Sequence, residues 1–199
     1  MQNSPLHEQL VLEDERVLLR ALQPEDEAHL LPFSLQEPDL WTYGLVTAAG
    51  TDNLRAYITT AVKQREEGKE FPFIVFDKAS GEYAGSTRFY DIQPAYKTTQ
   101  LGYTWYGKKF QRTGLNRHCK LLLLDFAFLQ WELERVEFRA DAANMRSVQA
   151  MKAIGCVEEG ILRNHLPTHS GGRRNSIILS ILRSEWLAST REKLIAQIR

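Results

Sequence analysis

Apolar positions recur along the chain in two periods. Short apolar runs or strict alternation mark strands at residues 16–22 (RVLLRAL), 71–77 (FPFIVFD), 83–93, 100–106 (QLGYTWY), 135–141 (RVEFRAD), 158–166 and 173–182. Residues 135–141 alternate cleanly: Val136, Phe138 and Ala140 share one face, Arg135, Glu137 and Arg139 the other. Helical spacing governs residues 24–33, a run from Thr51 or Asp52 to Gly68, residues 116–129, a run from Asn144 or Met145 to Gly155, and the C-terminal stretch capped by Ser184. In the second of these, Leu54, Tyr57, Ile58, Ala61 and Val62 fall on one face. The turn at 78–82 makes a hairpin, and Gly85 marks a bulge within it. Pro32 and Pro38 leave 31–51 rich in loop, with Trp41, Tyr43 and Gly44 either lining a pocket or, as the favoured reading, capping the core.

The order is strand, two helices, three meandering strands, helix, strand, helix, two strands, helix. It predicts a mixed α/β (α+β) sandwich: one mainly antiparallel sheet of about seven strands flanked by helices. The 199 residues suit a single domain over 1–199, with its core at about 16–186 and residues 1–10 as an irregular arm.

One stretch stands apart, residues 107–129, GKKFQRTGLNRHCKLLLLDFAFL. A basic loop runs through a small-residue turn into a helix that is apolar on most faces and so belongs in a buried setting. A helix start that follows a strand presents free N–H groups and the positive end of the macrodipole, which suit an anion. Gly114 lets the backbone approach a ligand without a Cβ in the way. Lys108, Lys109, Arg112, Arg117 and Lys120 surround this turn, and no acid occurs before Asp125. The stretch reads as a phosphate cradle, or as an ordinary strand-loop-helix junction with solvated cations. It contains neither a P-loop nor a G-x-G-x-x-G motif.

Charge narrows the field. Lys and Arg number 25 and Asp and Glu 25, so the chain is neutral overall, unlike a general nucleic-acid binder. The balance is local: 8–27 is acid-rich, whereas 160–184 has no acid at all. The start, MQNSPLHEQLVLEDER, lacks the basic and apolar segments of a signal peptide, and the apolar run at 121–129, broken by Asp125, is far below the roughly 20 residues of a membrane span. Cys119 and Cys156 have no metal or redox spacing and read as core residues in a reducing cytoplasm. No metal site is expected.

FQRTGLNRHCKLLLLDFAF resembles the GNAT acetyltransferase signature Q/R-x-x-G-x-G/A. Gln111 and Gly114 match it, while Asn116 stands where Gly or Ala is usual, a departure shared by the branch similar to the ribosomal-protein N-terminal acetyltransferases. The order of elements matches the GNAT fold as well. The resemblance implies acetyl-coenzyme A as co-substrate. It implies that the backbone from Arg112 through Thr113, Gly114, Leu115 and Asn116 to Arg117 holds the pyrophosphate, with Gln111 at the head of the motif. The fourth strand, with Tyr103 and Trp105, would supply donors to the thioester carbonyl.

The stretch DAANMRSVQAMKAIGCVEEGILR, residues 141–163, reads from its residues as a helix capped by Asn or Ser and stopped by Gly155. It also resembles a second GNAT pattern, N-x-x-S/A followed by a distant G-F, with Asn144, Ser147 and Gly155 in place and Cys156 for the aromatic. By resemblance, Asn144 bonds the pantetheine arm and Ser147 sits near the sulfur. Met151 stands where many GNAT chains carry a proton-donating Tyr, which leaves the Ser147 hydroxyl as the candidate thiolate donor or as a first-turn cap. Gln100 stands where many carry Glu. His165 is the candidate general base, with His169, Glu137 and Asp91 as rivals.

The expected function is acetyl transfer to a primary amine, on a protein N-terminus or a small molecule. The acid-free region 163–174 would attract an acidic N-terminus. The alternatives are a coenzyme A-binding module without turnover, motivated by Met151 and Gln100, and an interaction domain. Residues 177–181 could serve a homodimer or the core. No nucleic acid or membrane partner is expected.

Overall fold

The computed structural model describes residues 5–198. The strands are β1 (Val11–Glu13), β2 (Val17–Ala21), β3 (Phe71–Asp77), β4 (Glu82–Gln93), β5 (Thr98–Tyr106), β6 (Arg135–Asp141), β7 (Val157–Pro167) and β8 (Arg173–Leu182). They form one sheet in the order β1-β2-β3-β4-β5-β6-β8-β7. Every pairing is antiparallel except β5 with β6. The helices are α1 (Glu27–Gln36), α2 (Thr51–Glu66), α3 (Leu115–Asp125), α4 (Met145–Ala153), α5 (Arg183–Glu185) and α6 (Arg191–Ala196). Among the described residues no helix is long and apolar enough to cross a membrane.

The sheet therefore has one strand more than expected. Three residues of β1 are too few to show a period, and only pairing across the sheet, Leu12 against Leu19, defines them as a strand. Of the expected arm, residues 1–4 lie outside the described residues, whereas Leu10 is buried. Two helix boundaries also differ. α1 runs through Pro32 to Gln36, because buried Leu30 and Phe33 and the Ser34 hydroxyl, which donates to the Ala48 carbonyl at 2.5 Å, hold it past the proline. The C-terminal helix starts at Arg183, and Ser184 is not its cap: the Leu182 N–H donates to the Glu185 carboxylate at 2.9 Å.

The helix of residues 116–129 is α3 continued by a π-helical turn, Phe126–Gln130. Asp125, the charge that interrupts its apolar run, accepts from Trp186 Nε1 at 3.0 Å and from Arg191 Nε at 2.8 Å. Ile177, Leu179 and Ile181 are core residues, as are Cys119 and Cys156, whose thiols burial pushes up to about 12.

Alternation on β4 defines the two faces of the sheet. Thr87 and Phe89 point to α3: Lys120 Nζ lies 3.4 Å from Thr87 Oγ1, and Phe89 meets Phe126 with ring centres 6.2 Å apart. Arg88 points to α2, with its guanidinium 4.6 Å from the Tyr57 ring. Two bulges bend β4 and β5. Gly85, at φ +153°, packs so closely that a Cβ would lie 2.1 Å from the Trp105 carbonyl oxygen. In β5, Tyr103 takes a left-handed φ of 49° opposite a register shift between Ser86 and Arg88.

Candidate active site

β5 and β6 pair only from Thr98 to Gln100, against Arg135 to Glu137. Beyond these rungs the strands part, and both line a cavity of about 600 Å³. Its walls include Gly114, Asn116 and Asn144 from the α3 and α4 side and Tyr57 from α2. The cavity thus passes through the sheet.

At the α3 end, Gly114 has φ +89° and is the residue before the helix. A Cβ built there meets nothing within 4 Å, so the space it would fill belongs to the cavity. The N–H groups of Arg112, Thr113 and Gly114 have no protein acceptor among the described residues. The first turn carries no acid. These are the features of an anion cradle.

The basic surround differs from the sequence expectation. Lys108 pairs with Asp39 at 2.8 Å and Lys109 with Glu82, so both point away from the turn. Arg112, Arg117 and Arg146 line the cavity. Lys120 also lines it but is only 4% exposed, and its ammonium donates to Thr104 Oγ1 at 2.9 Å. Burial pulls its pKa down to about 8. Thr113 and Leu115 do not line the cavity. The Thr113 hydroxyl donates to the Phe110 carbonyl at 2.8 Å, and Leu115 is fully buried in the core. Asn116 turns toward β5, where its Oδ1 accepts from the Tyr106 hydroxyl at 3.2 Å.

On α4, the Asn144 side-chain oxygen accepts the Ser147 N–H at 3.1 Å, which is the N-cap the sequence indicated. Its amide NH₂ is left for another partner. Asn144, Ser147 and Met151 all line the cavity, as do Tyr103, Trp105 and Gln111.

The far end holds Tyr57, Tyr90, Arg139 and Arg174. Trp41 contributes to both alternatives posed by the sequence: it is buried and stacks edge-on to Trp105 at 5.1 Å, yet it lines the cavity together with Tyr43 and Gly44. His169 Nε2 lies 3.0 Å from the Trp41 carbonyl and joins the β7–β8 turn to this loop.

None of the four candidate bases lines the cavity. His165 is half-buried on β7. Burial, then the positive Arg139, Arg174 and Arg173, push its pKa down. Glu137 is held by Arg135 at 2.9 Å and by Arg139 at 2.6 Å. Asp91 accepts from Gln100 Nε2 at 2.7 Å, which places Gln100 within the sheet structure rather than at the cavity. Asp14, Glu15 and His118 bring metal-ligating atoms within 4.8 Å of one another, but they do not line the cavity, and His118 Nδ1 already meets Asp14 at 2.7 Å.

Residues 16–157 match the acetyltransferase (GNAT) domain family. The chain belongs to the GNAT acetyltransferase family. It is 25% identical over 178 residues to the "Putative ribosomal N-acetyltransferase YdaF" of Bacillus subtilis (strain 168), covering 87% of this chain and 94% of that protein. Its fold is similar to a GCN5-related N-acetyltransferase from Brucella melitensis, with TM-score 0.89 and 26% identity over 100% of this chain and 91% of that one. The ribosomal-protein-S5-alanine acetyltransferase of Vibrio fischeri shares the fold at TM-score 0.72 and 19% identity, over 89% of this chain and 98% of that one. This GNAT chain is an acetyl-coenzyme A-dependent acetyltransferase.

The sequence missed Tyr57 and Tyr90 as cavity residues. Tyr57 sits at a regular core position of α2, and Tyr90 within an unbroken strand pattern, so neither periodicity distinguishes them from packing residues.

Proposed function

We propose that this chain transfers the acetyl group of acetyl-coenzyme A to a primary amine, on a protein N-terminus or a small molecule, by direct attack. The observation that carries the reading is the open Cβ position at Gly114, beside unpaired backbone N–H groups at one mouth of a cavity that crosses the sheet.

The bound co-substrate supplies a thioester carbonyl open to nucleophilic attack. The free N–H groups of Arg112, Thr113 and Gly114 hold its pyrophosphate at the cradle, with Arg117 and Arg146 adding charge, whereas the Gln111 and Arg117 N–H groups are already bonded to the Lys108 and Gly114 carbonyls. The Asn144 NH₂, freed because its oxygen is the helix cap, bonds the pantetheine arm. The β5 backbone beyond Gln100, which has no β6 partner and is bent by the left-handed turn at Tyr103, provides N–H donors toward the carbonyl oxygen. Ser147 supplies the hydroxyl donor for the departing sulfur, since Met151 can donate no proton.

The attacking nitrogen must be neutral. Among the described residues no His or Glu lines the cavity, and the one acid that does, Asp141, holds the Ala143 N–H at 2.9 Å. The amine proton therefore leaves through water. The test is calorimetry with acetyl-coenzyme A, followed by release of free coenzyme A with a panel of amines and N-terminal peptides. Binding with no release for any amine would favour a non-catalytic coenzyme A-binding module. No binding at millimolar ligand would sink both readings.

A further inference from the structure

Arg174 lies on β8, paired with Leu166 of β7, and is only 7% exposed. Its Nε donates to Ser176 Oγ at 2.9 Å. Among the described residues no carboxylate forms an ion pair with it. Burying a guanidinium is costly without a counter-charge, and two other arginines of the sheet have one. Arg88, only 3% exposed, has Glu70 at 2.6 Å, and Arg139 has Glu137 at 2.6 Å. Arg174 is instead set near Arg139, a like charge, and beside the uncharged phenols of Tyr90 and Tyr103. Its own strand cannot provide an acid, because residues 160–184 contain none. Asp141 is near, but no hydrogen bond or ion pair joins it to Arg174, and its Oδ1 accepts the Ala143 N–H at 2.9 Å.

The side of the sheet matters as much as the missing partner. On β6 and β8, Phe138 and Leu179 form a core pair, while Asp141 and Ser176 are paired on the opposite face, and Arg174 continues that face. Tyr90 shares the α2-facing side of β4 with Arg88, and Tyr103 packs on Arg88 at 4.3 Å. Arg174 thus opens into the cavity on the α2 side, across the sheet from the cradle at the start of α3. A phosphate held at Gly114 does not serve it.

Resting on the amine-acetyltransferase reading, we infer that the acceptor is an amine bearing a carboxylate, and that Arg174 with Arg139 binds that carboxylate while the amine points to the gap between β5 and β6. The planar guanidinium suits bidentate pairing, with two of its nitrogens free of any protein acceptor. Tyr90 and Tyr103 line the cavity beside the group. The carboxylate could come from a free amino acid or from an acidic residue early in a peptide. Both present the same chemistry to Arg174.

The test uses matched acceptors with the full chain: an amino acid against its carboxamide, and N-terminal peptides with Glu against Gln at the second position. Binding is read by calorimetry in the presence of coenzyme A, and transfer by coenzyme A release. In at least one pair the carboxylate member should bind more tightly and show a kcat/KM higher by roughly 10- to 100-fold. The pair that shows it identifies the source. R174M should collapse the ratio, and R174K, which keeps the charge but not the fork, should restore part of it. Acetyl-coenzyme A binding by R174M reports that the variant is folded, and R174K serves if it is not. Equal binding of both members in every pair, or an unchanged ratio in R174M, overturns the inference. Carboxylate-selective binding without any transfer supports the role of Arg174 and overturns the amine-transfer reading instead.

Discussion

The side chain of Gln111 joins the loop before α3 to α4: its Nε2 donates to the Tyr106 carbonyl at 2.9 Å, and its Oε1 accepts from Arg146 at 2.9 Å. The first residue of one motif is thereby tied to a residue of the other, 35 positions along the chain. Gln111→Glu keeps the acceptor for Arg146 but sets a carboxylate oxygen against the Tyr106 carbonyl. A loss of about 1 kcal/mol of stability is expected, a fall in Tm of roughly 2–4 °C for a chain of this size. Acetyl-coenzyme A affinity should fall with it, by roughly fivefold or more. A variant with unchanged Tm and affinity would show that the tie is incidental.

Gly114→Val separates backbone strain from occlusion. No atom opposes the new side chain, so the folded state bears only the left-handed φ, about 1–2 kcal/mol. The branched side chain projects into the cradle and should abolish the stabilisation by acetyl-coenzyme A, roughly 2.7 kcal/mol at about 100 times the dissociation constant. Gly114→Asn tolerates the φ better and should be the more stable of the two, while still losing affinity. A full thermal shift in Gly114→Val would remove the cradle.

Asn144→Asp keeps an acceptor for the Ser147 N–H and removes the NH₂ donor. Stability should hold or rise slightly, because a carboxylate at a helix N-terminus is favourable. The KM for acetyl-coenzyme A should rise. Asn144→Ala should lose both, with about 1 kcal/mol of stability gone. Equal KM in wild type and Asn144→Asp would restrict Asn144 to its capping role.

Lys120 predicts a pH dependence of stability. Its pKa is depressed from 10.5 to about 8 by burial, so the folded state releases a proton that the unfolded chain keeps between these values. Where the unfolded state binds more protons, stability rises with pH. The penalty for the buried ammonium is therefore complete below pH 8 and fades as pH climbs toward 10.5. Lys120→Met should be more stable than wild type at pH 7, on the order of 1–3 kcal/mol, with the difference shrinking above pH 9. Denaturant titrations at pH 7 and pH 10 test this, and a pH-independent difference would refute it.

Much of the molecule was legible in the chain because it rests on local physics. The alternation at 135–141 predicted β6 to the residue, since one face had to be buried. Asn144 as a cap and Gly114 as a small-residue turn before a helix need only the few residues around them. Local pattern failed where neighbours in space decide. β1 exists through its pairing with β2, and α1 passes Pro32 because core contacts outweigh the lost hydrogen bond.

The same division holds at the candidate site. Consecutive residues at the start of α3 were enough to suggest a cradle or an ordinary strand-loop-helix junction, and it was the resemblance of Gln111, Gly114, Asn144 and Ser147 to the GNAT signatures that indicated coenzyme chemistry. Only the tertiary structure separated the cations of one short stretch into two ion-paired lysines, one buried lysine and the arginines that line the cavity. It likewise set His165 outside the cavity and left Arg174 inside without an acid. Charge sign is a property of the residue, whereas burial and pairing depend on strands far apart in sequence, and those two quantities govern what a charge can do.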